Sequence, residues 1–299
     1  MNNFPRLKPG DKLKVITPSG ALREWERFEA GVEIWRSHGY NIELTPGFDQ
    51  VTGYLAGTDE NRRQQLIEAL TDPNCRGILC ARGGFGSTRL LEGWKWENIT
   101  QISPDPKFLI GFSDITGLLW AFANHPQIIG IHGPVITTLA TEPDWSIQRL
   151  FKGIETGFFD TLQGEGWGGK SVSGRLFPAN LTVATHLLGT AYQPDLTNTI
   201  IAFEDVNEEP YRLDRMLTYW RMVGGFKGVR GIGLGRFSDC HAKGNNNSFT
   251  LEEVLRDRLG DLGIPIVSNL PFGHQGSNPI LPVGMMVNLD GEKGTLSWG

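Results

Sequence analysis

The chain has 299 residues, of which 39% are hydrophobic and 20% charged, with a formal net charge of −5. This is globular composition, able to bury a sizeable core without cross-links, and the length favours two domains. No block of Lys or Arg suggests a nucleic-acid footprint, no run approaches the roughly 20 apolar residues of a membrane span, and three scattered cysteines (Cys75, Cys80, Cys240) form no disulfide framework.

The opening MNNFPRLKPGDKLKVITPSG lacks the apolar stretch of a secretion signal, so a cytoplasmic protein is expected. LKVITP (13–18) reads as a short buried strand. LREWERFEAGVEIWRSHG (22–39) has helical apolar spacing and stops at Gly39. NIELTP (41–46) is again a strand. TDENRRQQLIEALTD (58–72) is a strongly signalled helix: Thr58 can cap it, acids fill its first turn and Pro73 follows it. GILCA (77–81), FLIGF (108–112) and IIGI (128–131) are further apolar runs, with a helix pattern between the last two. This alternation predicts an α/β protein whose N-terminal part is a parallel sheet between helices.

Beyond residue 157 the pattern changes. QGEGWGGKSVSG (163–174) is Gly-rich, and residues 158–174 read as a linker between a domain at 1–157 and another at 175–299. The second domain mixes strands, TIIAFEDV (199–206) and GVRGIGLGRF (228–237), with helices over 211–224 and 250–263. Its end, PILPVGMMVNLDGEKGTLSW, looks like a hairpin turning at DGEKG.

Parallel sheets bind ligands beyond the carboxyl ends of their strands. Those exits here read TPSG after 13–18, ARGGFGS after 77–81, SDIT after 108–112 and HGP after 128–131. Serine, glycine and histidine therefore collect at one edge. Ser113 in GFSDI stands where a buried strand turns into a helix. A plain helix N-cap is one reading of it. The other is a nucleophile at the positive end of a helix, with the Asp114 N–H beside it as an oxyanion donor. Ile115 stands where a nucleophile elbow carries its last glycine. RGGFG can likewise be an ordinary turn, or a stretch whose backbone N–H groups hold an anion.

A serine nucleophile needs a base and an orienting acid. His38 and His125 lie at helix ends and read as solvated, His186 in VATHLLG as structural, and His241 as a loop residue. His132 exits a strand at the same edge as Ser113, and His274 lies between glycines in NLPFGHQGSNP; both stay open as bases. Glu204 and Asp205 follow an apolar strand and are candidate acids, unless they pair with Arg212 or Arg215. No metal-ligand spacing occurs and no dinucleotide fingerprint is complete, so neither metal nor cofactor is expected.

In order along the chain, GDKLKVITPSG, GYLAGTDENRRQQLIEALTDPNCRGILCARGGFGSTRLL, IGFSDITGLLWAF, HGP, AFEDVNEEPYRLDRML and LPFGHQGSNPILPVG resemble the motifs of LD-carboxypeptidases, serine peptidases that trim murein peptides. The resemblance runs over nearly the whole chain. It implies an N-terminal α/β layer domain and a smaller, β-rich C-terminal domain. It also implies a triad of Ser113 as nucleophile, Glu204 as acid and His274 as base, with Asp114 and Gly84 supplying the oxyanion N–H groups. The expected partner is a murein peptide that loses its terminal D-alanine, and the expected assembly is a homodimer without cofactor. Arg82 and Arg212 are the arginines nearest the motifs for holding a substrate carboxylate. Pro178-Ala179 stand before Asn180 where the family has two glycines, a departure expected to alter a loop near the substrate. Microcin self-immunity peptidases, which cut an aminoacyl-nucleotide antibiotic, resemble the same pattern. A non-catalytic two-domain binding protein is the reading from another class.

Overall fold

The computed structural model describes residues 4–96, 105–244 and 247–298. The chain divides into two compact units, residues 1–158 with 279–283, and residues 159–278 with 284–299. No helix among the described residues is long and apolar enough to cross a membrane.

The first unit runs β1 (Lys12–Ile16), α1 (Trp25–Ser37), β2 (Asn41–Leu44), α2 (Asp59–Thr71), β3 (Cys75–Cys80), β4 (Lys107–Gly111), α3 (Thr116–Ala121), β5 (Ile128–His132), α4 (Ile136–Leu139) and α5 (Asp144–Thr156). Strands β2, β1, β3, β4 and β5 lie side by side and all parallel. Each strand returns through helical or irregular chain, so every strand ends at the same edge. Phe108, Leu109 and Ile110 of β4 are almost fully buried. Each such side chain contributes about 1.5–3 kcal/mol relative to exposure, and that anchors the end of β4. Helix α2 starts where the sequence predicts: the Thr58 hydroxyl accepts from the Asn61 N–H.

The second unit contains β6 (Leu162–Gln163), β7 (Glu165–Gly166), β8 (Val172–Asn180), α6 (Leu181–Leu187), β9 (Thr199–Val206), α7 (Pro210–Met222), β10 (Gly231–Ser238), α8 (Leu251–Leu259) and β11 (Ile266–Ser268). It ends, after the chain has visited the first unit, with β13 (Met286–Asp290) and β14 (Thr295–Trp298). Its eight-stranded sheet is mixed: β8, β9, β10 and β11 are parallel, and antiparallel strands close both sides.

Three local features differ from the sequence reading. Residues 158–174 are not simply a linker, because β6 and β7 pair at the two margins of the second sheet. The segment before the terminal hairpin supplies β12 (Leu281–Pro282), which pairs antiparallel with β5 in the first unit. Only β13 and β14 form the hairpin. Pro178 and Ala179 lie within β8 rather than in a loop. Proline cannot donate to a ladder, yet Pro178 fits because the register of β8 with β13 runs only up to Arg175, while residues 176–180 have register partners in β9 alone.

Candidate active site

In the first unit, β4 leads through extended Phe112 (φ −148°, ψ −170°) to Ser113, whose φ is +62°. An N-cap residue takes extended angles. Phe112 fills that place, and Ser113 begins the tight turn Ser113–Ile115 that enters α3. A left-handed non-glycine residue costs on the order of 1–3 kcal/mol and persists where its surroundings over-determine it, commonly at functional sites. This backbone matches the strained strand-to-helix turn of a nucleophile elbow.

The neighbours that hold the turn are visible. The Asp114 carboxylate, 3% exposed, accepts from the Ser19 hydroxyl at 2.6 Å and the Ser87 N–H at 2.8 Å. The Ser87 hydroxyl donates to the Asp114 carbonyl. Burial raises the carboxyl's pKa, and those hydrogen bonds pull against the rise. Buried Arg62 of α2 donates to the carbonyls of Pro18 and Gly86. One carboxylate and one guanidinium thus tie together the exits of β1, β3 and β4. The sequence reading missed Ser19, Ser87 and Arg62. The TPSG and FGS exits marked their strands but not which side chains would meet.

The RGGFG stretch lies beside Ser113. The Gly20 N–H donates to the Gly83 carbonyl at 3.2 Å. Carbonyl and following N–H oppose each other across a trans peptide, and no bond in the chain is cis. The Gly84 N–H therefore points away from Gly20. Among the described residues, neither this N–H nor that of Asp114 donates to a protein acceptor. Two uncommitted backbone donors at such a turn are what an oxyanion requires. Gly84 itself has φ +112°, open to glycine but not to side chains.

Gly83 is the tightest point. A methyl group there would lie 3.0 Å from Ser113 Cβ and 3.1 Å from its Oγ. Gly83→Ala should therefore displace the hydroxyl by a few tenths of an ångström and fill space above it. A 1 Å misplacement can cost about 100-fold in rate, so a loss of roughly tenfold or more in kcat is expected, with Tm nearly unchanged. Measuring both on one preparation checks it, and unchanged kcat would exclude a reacting group at this position.

In the second unit, β9 ends in two buried acids, Glu204 and Asp205. Successive strand residues face opposite sides. Glu204 Oε2 lies 2.6 Å from His274 Nδ1. Asp205 instead accepts from the N–H and hydroxyl of Thr182. Asn180 bridges the two acids, with its amide nitrogen 3.3 Å from Glu204 Oε1 and 3.0 Å from Asp205 Oδ1, while its Oδ1 caps α6. Neither acid is paired with Arg212 or Arg215: Arg212 sits 3.7 Å from Glu208.

Because a carboxylate only accepts, His274 Nδ1 carries the proton and Nε2 keeps the basic lone pair. Burial opposes the imidazolium, but the charge and hydrogen bond of Glu204, with Asp205 behind it, outweigh burial and raise the His274 pKa. The loop is pinned: Arg236 donates to the carbonyls of Gln275 and Ser277, and the Gly273 N–H reaches Asn278 Oδ1. A side chain at Gly273 (φ +133°) would crowd the Arg236 carbonyl at 2.9 Å.

The other sequence candidates are placed as follows. His132 ends β5, fully buried, with its ring 5.9 Å from that of Phe112. His186 is exposed and donates from Nδ1 to the Thr182 carbonyl. Arg82 is drawn onto the Ala21 carbonyl at 2.5 Å and toward Glu24 at 3.5 Å. No cluster of metal-ligating side chains occurs among the described residues.

Residues 13–133 match the LD-carboxypeptidase N-terminal domain, and residues 173–289 match the LD-carboxypeptidase C-terminal domain. The chain belongs to the LD-carboxypeptidase family. A protein of Synechocystis sp. named "putative carboxypeptidase" is 54% identical over 98% of this chain and 95% of its own. The murein tetrapeptide carboxypeptidase of Pseudomonas aeruginosa is 32% identical over 96% and 95%. Among solved structures, the muramoyltetrapeptide carboxypeptidase of Oxalobacter formigenes superposes with a TM-score of 0.83 at 27% identity, covering 95% of this chain and 97% of that one. The microcin C7 self-immunity protein MccF, in complex with glutamyl sulfamoyl guanosine, shares the fold with a TM-score of 0.86 at 20% identity, covering 98% and 97%. Membership of this LD-carboxypeptidase family supports a serine peptidase acting in peptidoglycan processing.

Proposed function

We propose that the protein is a serine carboxypeptidase that releases the terminal D-alanine of murein tetrapeptides by cutting the bond after an L-configured diamino acid centre. Ser113 Oγ attacks the scissile carbonyl, and His274 Nε2 takes its proton. Glu204 orients the ring and stabilises the imidazolium that forms. The N–H groups of Asp114 and Gly84 hold the tetrahedral oxyanion. His274 then returns the proton to the leaving amine of D-alanine, and water hydrolyses the acyl-enzyme by the same steps.

The observation that carries this reading is the Glu204–His274 contact of 2.6 Å, which leaves Nε2 as a base, in a family of LD-carboxypeptidases with a left-handed serine at the strand exit. The substrate rests on the murein tetrapeptide relative. Three peptides ending in D-Ala, L-Ala and D-Ala amide, compared for kcat/KM, test it. Inverting the last centre exchanges methyl and carboxylate relative to the scissile bond. Amidation leaves the group that holds the carboxylate unsatisfied, at about 1–3 kcal/mol. Losses of at least about tenfold are expected for both variants. Equal rates on all three would exclude the reading. Preference for an aminoacyl sulfamoyl-nucleotide would move the assignment to the immunity-peptidase branch.

A further inference from the structure

The two N–H groups that the peptidase reading assigns to the oxyanion belong to different exit loops of the first unit, Asp114 after β4 and Gly84 after β3. Backbone donors stabilise developing charge only if their separation and aim are fixed before the reaction. Hydrogen bonds among three short segments close a ring that contains both donors. The Ser19 hydroxyl, in the loop after β1, donates to the Asp114 carboxylate at 2.6 Å. The next residue, Gly20, donates from its N–H to the Gly83 carbonyl at 3.2 Å. That carbonyl and the Gly84 N–H share one planar peptide, so this bond sets the direction in which the donor points. Three residues further on, Ser87 returns to Asp114 twice. Its N–H donates to the carboxylate at 2.8 Å, and its hydroxyl donates to the Asp114 carbonyl.

The ring is short and closed to water. Gly84 and Ser87 can be at most about 11 Å apart even along extended chain, and Ser19 and Ser87 are fully buried. Neither serine is placed to react, because each hydroxyl already donates to Asp114. Arg62 repeats the link one residue earlier in each segment: it donates to the carbonyls of Pro18 and Gly86, which directly precede the two serines. The loops after β1 and β3 are thus joined both through Asp114 and through Arg62. Hydrogen bonds in such a buried network strengthen one another, so the loss of one loosens the rest.

We propose that Ser19 and Ser87 are positioning residues for the oxyanion site. Through the ring they fix the spacing between the Asp114 and Gly84 N–H groups, and so they act on the transition state and not on the binding of substrate. The task of those N–H groups rests on the peptidase reading, whereas the ring rests on the hydrogen bonds themselves. A ring that only supported the fold would lower stability without separating kcat from KM. A ring that sets donor spacing slows any reaction at Ser113 that builds negative charge on oxygen, whatever the leaving group.

The test compares full-chain wild type with Ser19→Ala, Ser87→Ala, the double variant and, as a control, Thr250→Ala. The serine variants keep the Gly86 and Ser87 N–H groups on the Asp114 carboxylate, so they should fold. Thr250→Ala removes the N-cap of α8 in the second unit, which lowers Tm without touching the ring. Removing an oxyanion donor outright costs about 10²–10³ in kcat, and a 1 Å misplacement about 100-fold. For release of D-alanine from murein tetrapeptide, each single serine variant should therefore lose at least about tenfold in kcat, with KM within about threefold of wild type. The rate constant for labelling of Ser113 by a phosphonate that modifies serine should fall by a similar factor. The double variant should lose less than the product of the two single losses, because both changes open the same ring. Thr250→Ala should lower Tm and leave both rates as they are. A fall in Tm with kcat and labelling unchanged in the serine variants, a loss confined to KM, or losses that multiply in the double variant would each overturn the proposal. A wild type that releases no D-alanine, yet is labelled at Ser113 and more slowly so in both serine variants, would sink the peptidase reading and leave the ring standing. Release and labelling at wild-type rates in both serine variants would do the opposite.

Discussion

Ser113→Ala should leave a folded protein that releases no measurable D-alanine from murein tetrapeptide. Removing a nucleophile that acts as a unit with its base typically costs several powers of ten in kcat, because the remaining oxyanion donors can only assist water. The fold should tolerate the change. The Asp114 carboxylate, the Ser87 hydroxyl and buried Ile115 hold the turn independently of the Ser113 side chain. Alanine also accepts φ +62° about as poorly as serine, so the backbone strain should be similar in both proteins. The readouts are kcat, Tm, and labelling by an active-site phosphonate that modifies serine. Wild-type protein labelled once, and Ser113→Ala not at all, is the expected pattern. Activity within tenfold of wild type in a folded Ser113→Ala sample would end the serine mechanism.

Much of this arrangement is readable without coordinates, and the reason is local. In a parallel sheet every strand exit shares one edge, so apolar runs followed by serine or glycine identify the exits near 19, 87 and 113 one at a time. Thr58, Pro73 and the acids between them announce α2 because capping acts over three or four residues. Long-range meetings leave no such mark. Nothing in the sequence says that Asp114 accepts from Ser19, 95 residues away, or that Arg62 reaches Pro18 and Gly86. The left-handed backbone of Ser113 is also silent, since the residue type gives no hint that its φ is positive. Pro178 misleads for a similar reason. Proline signals a loop by its missing N–H, but here the strand partner on one side stops at Arg175, and the missing donor costs little. The choice between His132 and His274 could not be made from local context, because both stand beside glycine. The proposal of His274 rests on its approach to Glu204 across 70 residues of chain.

The histidine and its carboxylate carry the last expectation, which is written in pH. The folded-state pKa of His274 lies above the ordinary histidine value of about 6.5. The base must be neutral to accept the Ser113 proton. Wild-type kcat/KM should therefore rise from the acid side with a midpoint above 6.5. Glu204→Gln keeps the size of the side chain but removes the charge that overcomes burial, so the midpoint should fall to the ordinary value or below. It also lets the ring adopt the wrong tautomer, for which a loss on the order of 10³–10⁴ in kcat is reasonable. Asp205→Asn should move the midpoint in the same direction by less, since Asp205 contributes charge but no hydrogen bond to the ring. Stability follows with a definite sign. A group whose pKa is raised by folding stabilises the protein fully below its unfolded value and stops doing so as pH rises through its folded value. The His274–Glu204 pair should thus contribute most to Tm below about pH 6.5, and the Tm gap between wild type and Glu204→Gln should narrow as pH climbs past the wild-type midpoint. His274→Ala should abolish the titration and nearly all turnover. His132→Asn, at the buried end of β5, should lower Tm while leaving kcat per folded molecule within a few-fold of wild type. If His132→Asn instead removes the acid limb and His274→Ala retains it, the base has been assigned to the wrong histidine, and the 2.6 Å contact with Glu204 is structural.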